Sequence, residues 1–230
     1  MDDPARLLRL LQISDSGFPT GAYAFSHGLE GLYAMGAVLG ERDVAAFVAM
    51  HVEEGFAGIE CPAMVWSWRA ARERDLSGLI ELDGLVTALK PVPALRSGSI
   101  RTGNGLLQAS AGVLSGGVLD EFRACVKARR AAGHHAVAFG VVMEAIGIDE
   151  PSAALALAAG FVGGLTAAAV RLGVIGQGAA QRIIARSRQD VVTAVTRGLQ
   201  IQPEEMGAYM PVVDIAGLRQ PRLPGRIFAS

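Results

Sequence analysis

Lysine is nearly missing from this chain. Of 21 basic residues only Lys90 and Lys127 are lysines, and the remaining 19 are arginines, whose planar forks suit hydrogen bonding to protein groups better than point-charge chemistry. A phosphate-binding P-loop needs a lysine behind a glycine-rich turn, but Lys90 follows Leu89 and Lys127 follows Val126, so the chain does not hold a nucleotide that way. Cysteine is equally scarce. Cys61 and Cys125 lie far apart and neither belongs to a C-x-x-C, which leaves a disulfide framework and a thiolate metal site without support and fits a reducing cytoplasm. Neither G-x-S-x-G nor H-E-x-x-H occurs, so the ordinary hydrolase and metalloprotease signatures fail. "GNGLLQ" begins at Gly103 like a dinucleotide fingerprint, yet Gln108 stands where its last glycine belongs and no strand precedes it. An excess of charge is also lacking: a formal net charge of -1 gives no pull toward nucleic acid or anionic lipid.

Strand signals are few, and nothing alternates strand with helix, so the sequence reads as all-α, a single-domain bundle of about ten helices. What it has instead is apolar helical periodicity, with 51% of 230 residues hydrophobic. Asp3 can cap a first helix with Pro4 at its first position, Leu7, Leu8, Leu10 and Leu11 sharing one arc. The opening "MDDPARLLRLL" carries acids where a secretory signal carries positive charge, and reads as no export signal. A helix from Asp43 follows, Pro62 and Pro151 mark helix starts, and further helices are predicted at about 76–89, 96–114, 119–131, 135–146, 151–172 and 177–199. The run from Ser152 to Val170 has no charge and holds Gly160 and Gly164 in G-x-x-x-G spacing. It is rich in Ala and Gly rather than Leu, Ile or Phe, which favours a buried, closely packed helix over a membrane span. Gly103, Gly105, Gly160, Gly163 and Gly164 are expected at close helix crossings, which would offset the roughly 1 kcal/mol that a glycine costs inside a helix. Residues 214–230 form an extended tail with Arg219, Arg222 and Arg226, two prolines and no acid beyond Asp214, little of which can pack within its own chain.

Two stretches could carry chemistry or binding. In "LLQISDSGFPTGAYAFSHGLEGLYAMG" two apolar segments meet at a glycine and proline corner, after which His27 and Glu30 stand three apart, a spacing open to an acid/base pair and to an ordinary contact alike. His51 sits within an apolar stripe and reads as a core histidine, while the neighbours His134 and His135 point about 100° apart on a helix and suit a helix start better than a shared metal. Farther on, Arg171 ends the long apolar helix, "LGVIGQG" breaks the chain, and Gln177 and Gln181 follow at i and i+4. One cation and two amides at a helix junction can bind another protein or merely cap and solvate the helices.

The residues also carry a resemblance. "LLQISDSGFPTGAYAFSHGLE" resembles the N-terminal motif of the urease accessory protein F family, and "RSGSIRTGNGLLQ", "GHHAVAFGVVMEAIGI", "AAAVRLGVIGQGAAQRII" and "PVVDIAGLR" follow in the family's order. The resemblance implies an all-helical, non-enzymatic cytoplasmic protein without cofactor, metal or membrane span. It implies a homodimer that binds accessory protein D or H and recruits the GTPase G, so that nickel reaches apo-urease. Glu30, Arg171, Gln177, Gln181 and Asp214 match the motif positions and are expected to contact partners, as are Arg219 and Arg226 in the tail, which the D or H protein would order. Two stretches depart from the pattern: "HHAVAFG" replaces a Tyr-Pro-Val-Val-like run after the histidine, and "LRQPRLPGRIF" replaces a Met-Arg-His-Glu stretch ending in Ser-Arg-Leu-Phe. The competing readings are a small helical membrane protein built on 152–170 and an enzyme using His27 and Glu30.

Overall fold

The computed structural model describes residues 3–229, and among them there are helices and turns but no strands. Asp3 caps α1 (Pro4–Ser14), its carboxylate accepting from Ala5 N at 2.9 Å. The arc that buries is narrower than the sequence suggested: Leu10 and Ile13 pack inward while Leu7, Leu8 and Leu11 stay exposed. The corner that follows holds one 3-10 turn (Ala22–Ala24), and α2 (Leu29–Ala34) leaves it. Before α2 both His27 (φ 54°) and Gly28 (φ 89°) are left-handed, so residues 27 and 30 do not share the helical spacing assumed for them.

Residues 41–73 run as one unbroken helical rod. It consists of α3 (Glu41–Met50), a π-type segment (His51–Glu60) and α4 (Cys61–Glu73). Pro62 therefore does not start a fresh helix. It lacks an N–H to donate, and the wider i→i−5 turns before it absorb that loss without a break in the rod. Around the rod stand α5 (Leu76–Leu89), α6 (Pro93–Ser110), α7 (Gly117–Lys127) and α8 (His135–Ala145). Gly140 of α8 lies so near α4 that a Cβ there would come within 2.3 Å of Met64 O. Trp66 and Trp68 of α4 fix the rod to later segments, their indole N–H groups donating to Ile201 O and Ile148 O, each at 2.9 Å.

The long apolar helix is α9 (Glu150–Arg171), capped by Asp149. Among the described residues it is the one helix long and apolar enough to cross a membrane; half of its apolar window is buried, with Leu157, Val162 and Leu165 in the core. Of the glycines expected at close crossings, Gly103 and Gly105 do abut other backbone, at 2.1 Å from Gly133 O and 2.3 Å from Thr20 O for an added Cβ. Gly160, Gly163 and Gly164 do not, since an added Cβ at any of them meets nothing within 4 Å. Two of the three, Gly160 and Gly164, border a cavity instead of a neighbouring helix.

The helix expected over 177–199 is two, α10 (Gln177–Arg186) and α11 (Arg188–Gly198). Ser187 divides them, its hydroxyl donating back to Ile184 O at 3.1 Å in competition with the helical ladder. The C-terminal stretch is not extended from 214 onward but lies inside a further helix, α12 (Pro211–Arg219). The chain then turns through 3-10 residues Gln220–Arg222 and returns to the corner, where Ala229 N donates to Ala24 O at 2.9 Å. Glycines make the bed for this segment: Gly58 leaves room for Gly207, and Gly31 for Ala216. The acid that the tail lacks is supplied from the corner, by Glu30.

Candidate docking surface and the cavity beneath it

Glu30 is 5% exposed, and its carboxylate faces inward to the C-terminal segment. It accepts from Gln220 Nε2 at 2.8 Å, from Phe228 N at 3.3 Å and from Ile227 N. These donors engage both of its oxygens, while the His27 ring meets Phe161 edge-on at 5.5 Å. The structure thus gives each of the two residues other partners than the acid/base pair expected of them. Arg171 closes the same junction from outside. Its guanidinium lies 4.3 Å above the Phe228 ring and 5.6 Å from Tyr23, and donates to Tyr23 O.

The expected polar surface of Glu30, Arg171, Gln177 and Gln181 is thus layered rather than continuous. Glu30 lies beneath, holding the segment whose Phe228 Arg171 covers from above. Gln177 and Gln181 are exposed on α10, whose Arg182 pairs with Glu41 at 2.6 Å. Asp214 is half-buried at the wall of the cavity, and burial raises its pKa. Arg219 and Arg226 are exposed, and beside Arg219 the outer face of α12 leaves Val212, Ile215 and Leu218 open to solvent.

Sequence reasoning missed the cavity. It measures about 380 Å³ and opens between the corner, the π segment, α6, α9 and α12. His27, His51 and His135 line it together with Glu60 and Lys90, which form an ion pair. His134 stands just behind, so all four histidines of the chain gather around one of its two lysines. Burial pushes His27 down to about 3, helped by His51, and takes His51 down to about 4 against its hydrogen bond to Phe47 O at 3.0 Å. His135 is lowered by burial as well. Burial alone would raise Glu60, but the charge and hydrogen bond of Lys90 outweigh it and hold the carboxyl below its usual range. His51 is thus the core histidine the sequence suggested, and His134 is the residue that opens α8. Among the described residues no three His, Cys, Asp or Glu side chains are placed to hold a metal ion. The scarcity of lysine draws attention to Lys90, just before Pro91 and Pro93, but nothing in the sequence places the histidines beside it.

Fold and site together define an all-helical protein whose C-terminal segment is anchored back on its N-terminal corner. The UreF family model matches residues 38–188. The chain is 33% identical to the urease accessory protein UreF of Arthrobacter sp. (strain FB24) over 97% of this chain and 96% of that protein. It is 28% identical to UreF of Trichodesmium erythraeum (strain IMS101) over 99% of this chain and 98% of that one, and 28% identical to UreF of Bacillus sp. (strain TB-90) over 98% and 99%. The chain belongs to the UreF family of urease accessory proteins.

Proposed function

We propose that this chain is a non-enzymatic scaffold of urease maturation, which joins the accessory GTPase G to the D or H accessory protein and to apo-urease so that nickel can be inserted. It works in the cytoplasm, as a homodimer, without a cofactor of its own. The observation that carries this reading is the junction at Arg171, where one guanidinium covers an anchored C-terminal segment and the helix that follows, α10, exposes Gln177 and Gln181. Such a junction offers an interface a charged anchor that is already oriented, and exposed amides on the following helix to pair across it. The second contact face is α12, where Val212, Ile215 and Leu218 form an exposed apolar stripe beside Arg219, with Asp214 on the inner side and Arg226 farther along. This is the face for the D or H protein. That both faces meet at one short segment gives the scaffold a way to hold two partners at once.

Light scattering on the full chain mixed with the D or H protein and the GTPase tests the proposal. A stable assembly is expected whose mass contains two copies of this chain, whereas a chain that elutes alone and as a monomer with all partners present contradicts it.

A further inference from the structure

Ser99 of α6 lines the cavity, and its hydroxyl lies 3.0 Å from Nδ1 of His134. Which of the two donates follows from the other side of the ring. Thr87 Oγ1 must donate its single proton to Asp83 O, 3.0 Å away, because a carbonyl only accepts. Thr87 can then only accept from His134 Nε2 at 2.9 Å, which places the proton of the neutral imidazole on Nε2. Nδ1 therefore carries the lone pair, and Ser99 donates to it. The loop that carries His134 is rigid at this point, since the Asp83 carboxylate accepts from the backbone N–H of Gly133 at 3.0 Å, of His134 at 2.8 Å and of Ala132. Ser99 also lies beside the N-terminus of α8, an 11-residue helix whose His135 N is 3.4 Å from the hydroxyl oxygen and whose positive end favours negative charge there.

We infer that Ser99 is a nucleophilic hydroxyl, with His134 as its base and Thr87 as the residue that positions the base, and that it accepts an acyl group from small apolar activated esters entering the cavity. A hydroxyl bonded to the bare nitrogen of an oriented imidazole, facing a cavity large enough for a small ligand, is the arrangement that nucleophilic acyl transfer requires. The walls suit an apolar acyl or aryl group, with Phe25, Leu157 and Phe161 around the space. The third member here is a hydroxyl rather than a carboxylate. It fixes the tautomer without adding basicity, and burial takes His134 down to about 4, so the base is weak. The outcome is one slow acylation, not turnover, which accords with a scaffold protein. This inference stands apart from the proposed docking role.

In the step itself, Ser99 Oγ adds to the ester carbonyl carbon and its proton passes to His134 Nδ1. The bond to the leaving oxygen breaks, His134 returns the proton to that oxygen, and Ser99 keeps the acyl group as an ester. The probe is p-nitrophenyl acetate applied to the folded full chain, read by intact mass and peptide mapping. One acetyl group on Ser99 is expected. Ser99→Ala should lose that label, Thr87→Val should slow it about 100-fold, and Thr87→Ser should restore it, because only the hydroxyl sets the tautomer. Folded wild-type protein that carries no acetyl on Ser99 overturns the inference, and so does a Thr87→Val protein that is labelled at the wild-type rate.

Discussion

Replacing Glu30 with alanine is expected to release the C-terminal segment while the helical bundle stays folded. The carboxylate is the meeting point of three donors from 190 or more residues away, Gln220 Nε2, Ile227 N and Phe228 N. A hydrogen bond to a charged group contributes roughly 1.5 to 3 kcal/mol, and a buried donor left without an acceptor costs about 1 to 3 kcal/mol more. In the alanine variant the segment keeps the burial of Gln220 and Phe228, the Arg171 stack and the bond from Ala229 N to Ala24 O, which are expected to be too little to keep residues 223–229 ordered against their conformational entropy. Amide hydrogen exchange at Ile227, Phe228 and Ala229 should accelerate by 100-fold or more, corresponding to about 3 kcal/mol of lost local stability. Protection in the core helices should hardly change. Glu30→Gln keeps the shape but loses the charge and one acceptor oxygen, and should fall between the two. Unchanged protection at 227–229 in Glu30→Ala would mean that something else holds the segment.

Acid should weaken this protein well before most of its carboxylates titrate. His27, His51 and His134 lie at about 3, 4 and 4 in the folded chain, against 6.5 for an exposed imidazole, and burial is the leading cause for each. Between those values the unfolded chain binds protons that the native state refuses, so acidification favours unfolding. The stability these groups contribute is fully present above about pH 6.5 and is lost as the pH falls toward 4 and 3. Over the interval from pH 7 to pH 5 the loss is roughly 2 kcal/mol per buried imidazole, a large fraction of the 5 to 15 kcal/mol that holds an ordinary domain together. Urea denaturation at pH 7 and pH 5 should show a clearly lower midpoint in acid, and His51→Gln should narrow the gap. Equal midpoints at the two pH values would show that the histidines are not held neutral in the native state.

The helices were legible where their signals are local. Asp3–Pro4 and Pro151 mark helix starts that the structure contains, and the helix expected at 76–89 has those boundaries. The π segment was not legible, because wide turns preserve the apolar stripe of Val44, Phe47, Val48 and Val52 well enough to pass for α-helical period. The break at Ser187 depends on one hydroxyl turning back to Ile184 O, a choice that composition does not reveal.

The site was half visible. Glu30 and Arg171 could be picked out by their places in a motif, but their roles depend on a segment almost 200 residues downstream of Glu30 that folds back over the corner. Likewise His51, His134 and His135, read singly, suggested ordinary core or helix-start residues, and His27 a partner of Glu30 or an ordinary contact. Only tertiary packing brings 27, 51, 134 and 135 around Lys90, and no sequence spacing encodes that meeting. Glycine misled in the same way: Gly160 and Gly164 have the spacing of a close helix crossing, yet they border open space.

The surface at Arg171 is proposed to dock the accessory GTPase and to perform no chemistry. The decisive experiment is calorimetric titration of the GTPase into the preformed complex of this chain with the D or H protein, wild type against Arg171→Ala. The guanidinium is exposed and stacks on Phe228 and Tyr23 from outside, so its loss should leave the thermal unfolding of the bundle nearly unchanged. Truncating a charged anchor at an interface typically costs 2 to 5 kcal/mol, so the dissociation constant should rise by roughly 30-fold or more. His27→Ala, which alters the cavity and not the surface, should bind the GTPase within about threefold of wild type. Wild-type affinity for the GTPase in a folded Arg171→Ala protein would show that this surface is not where the GTPase docks.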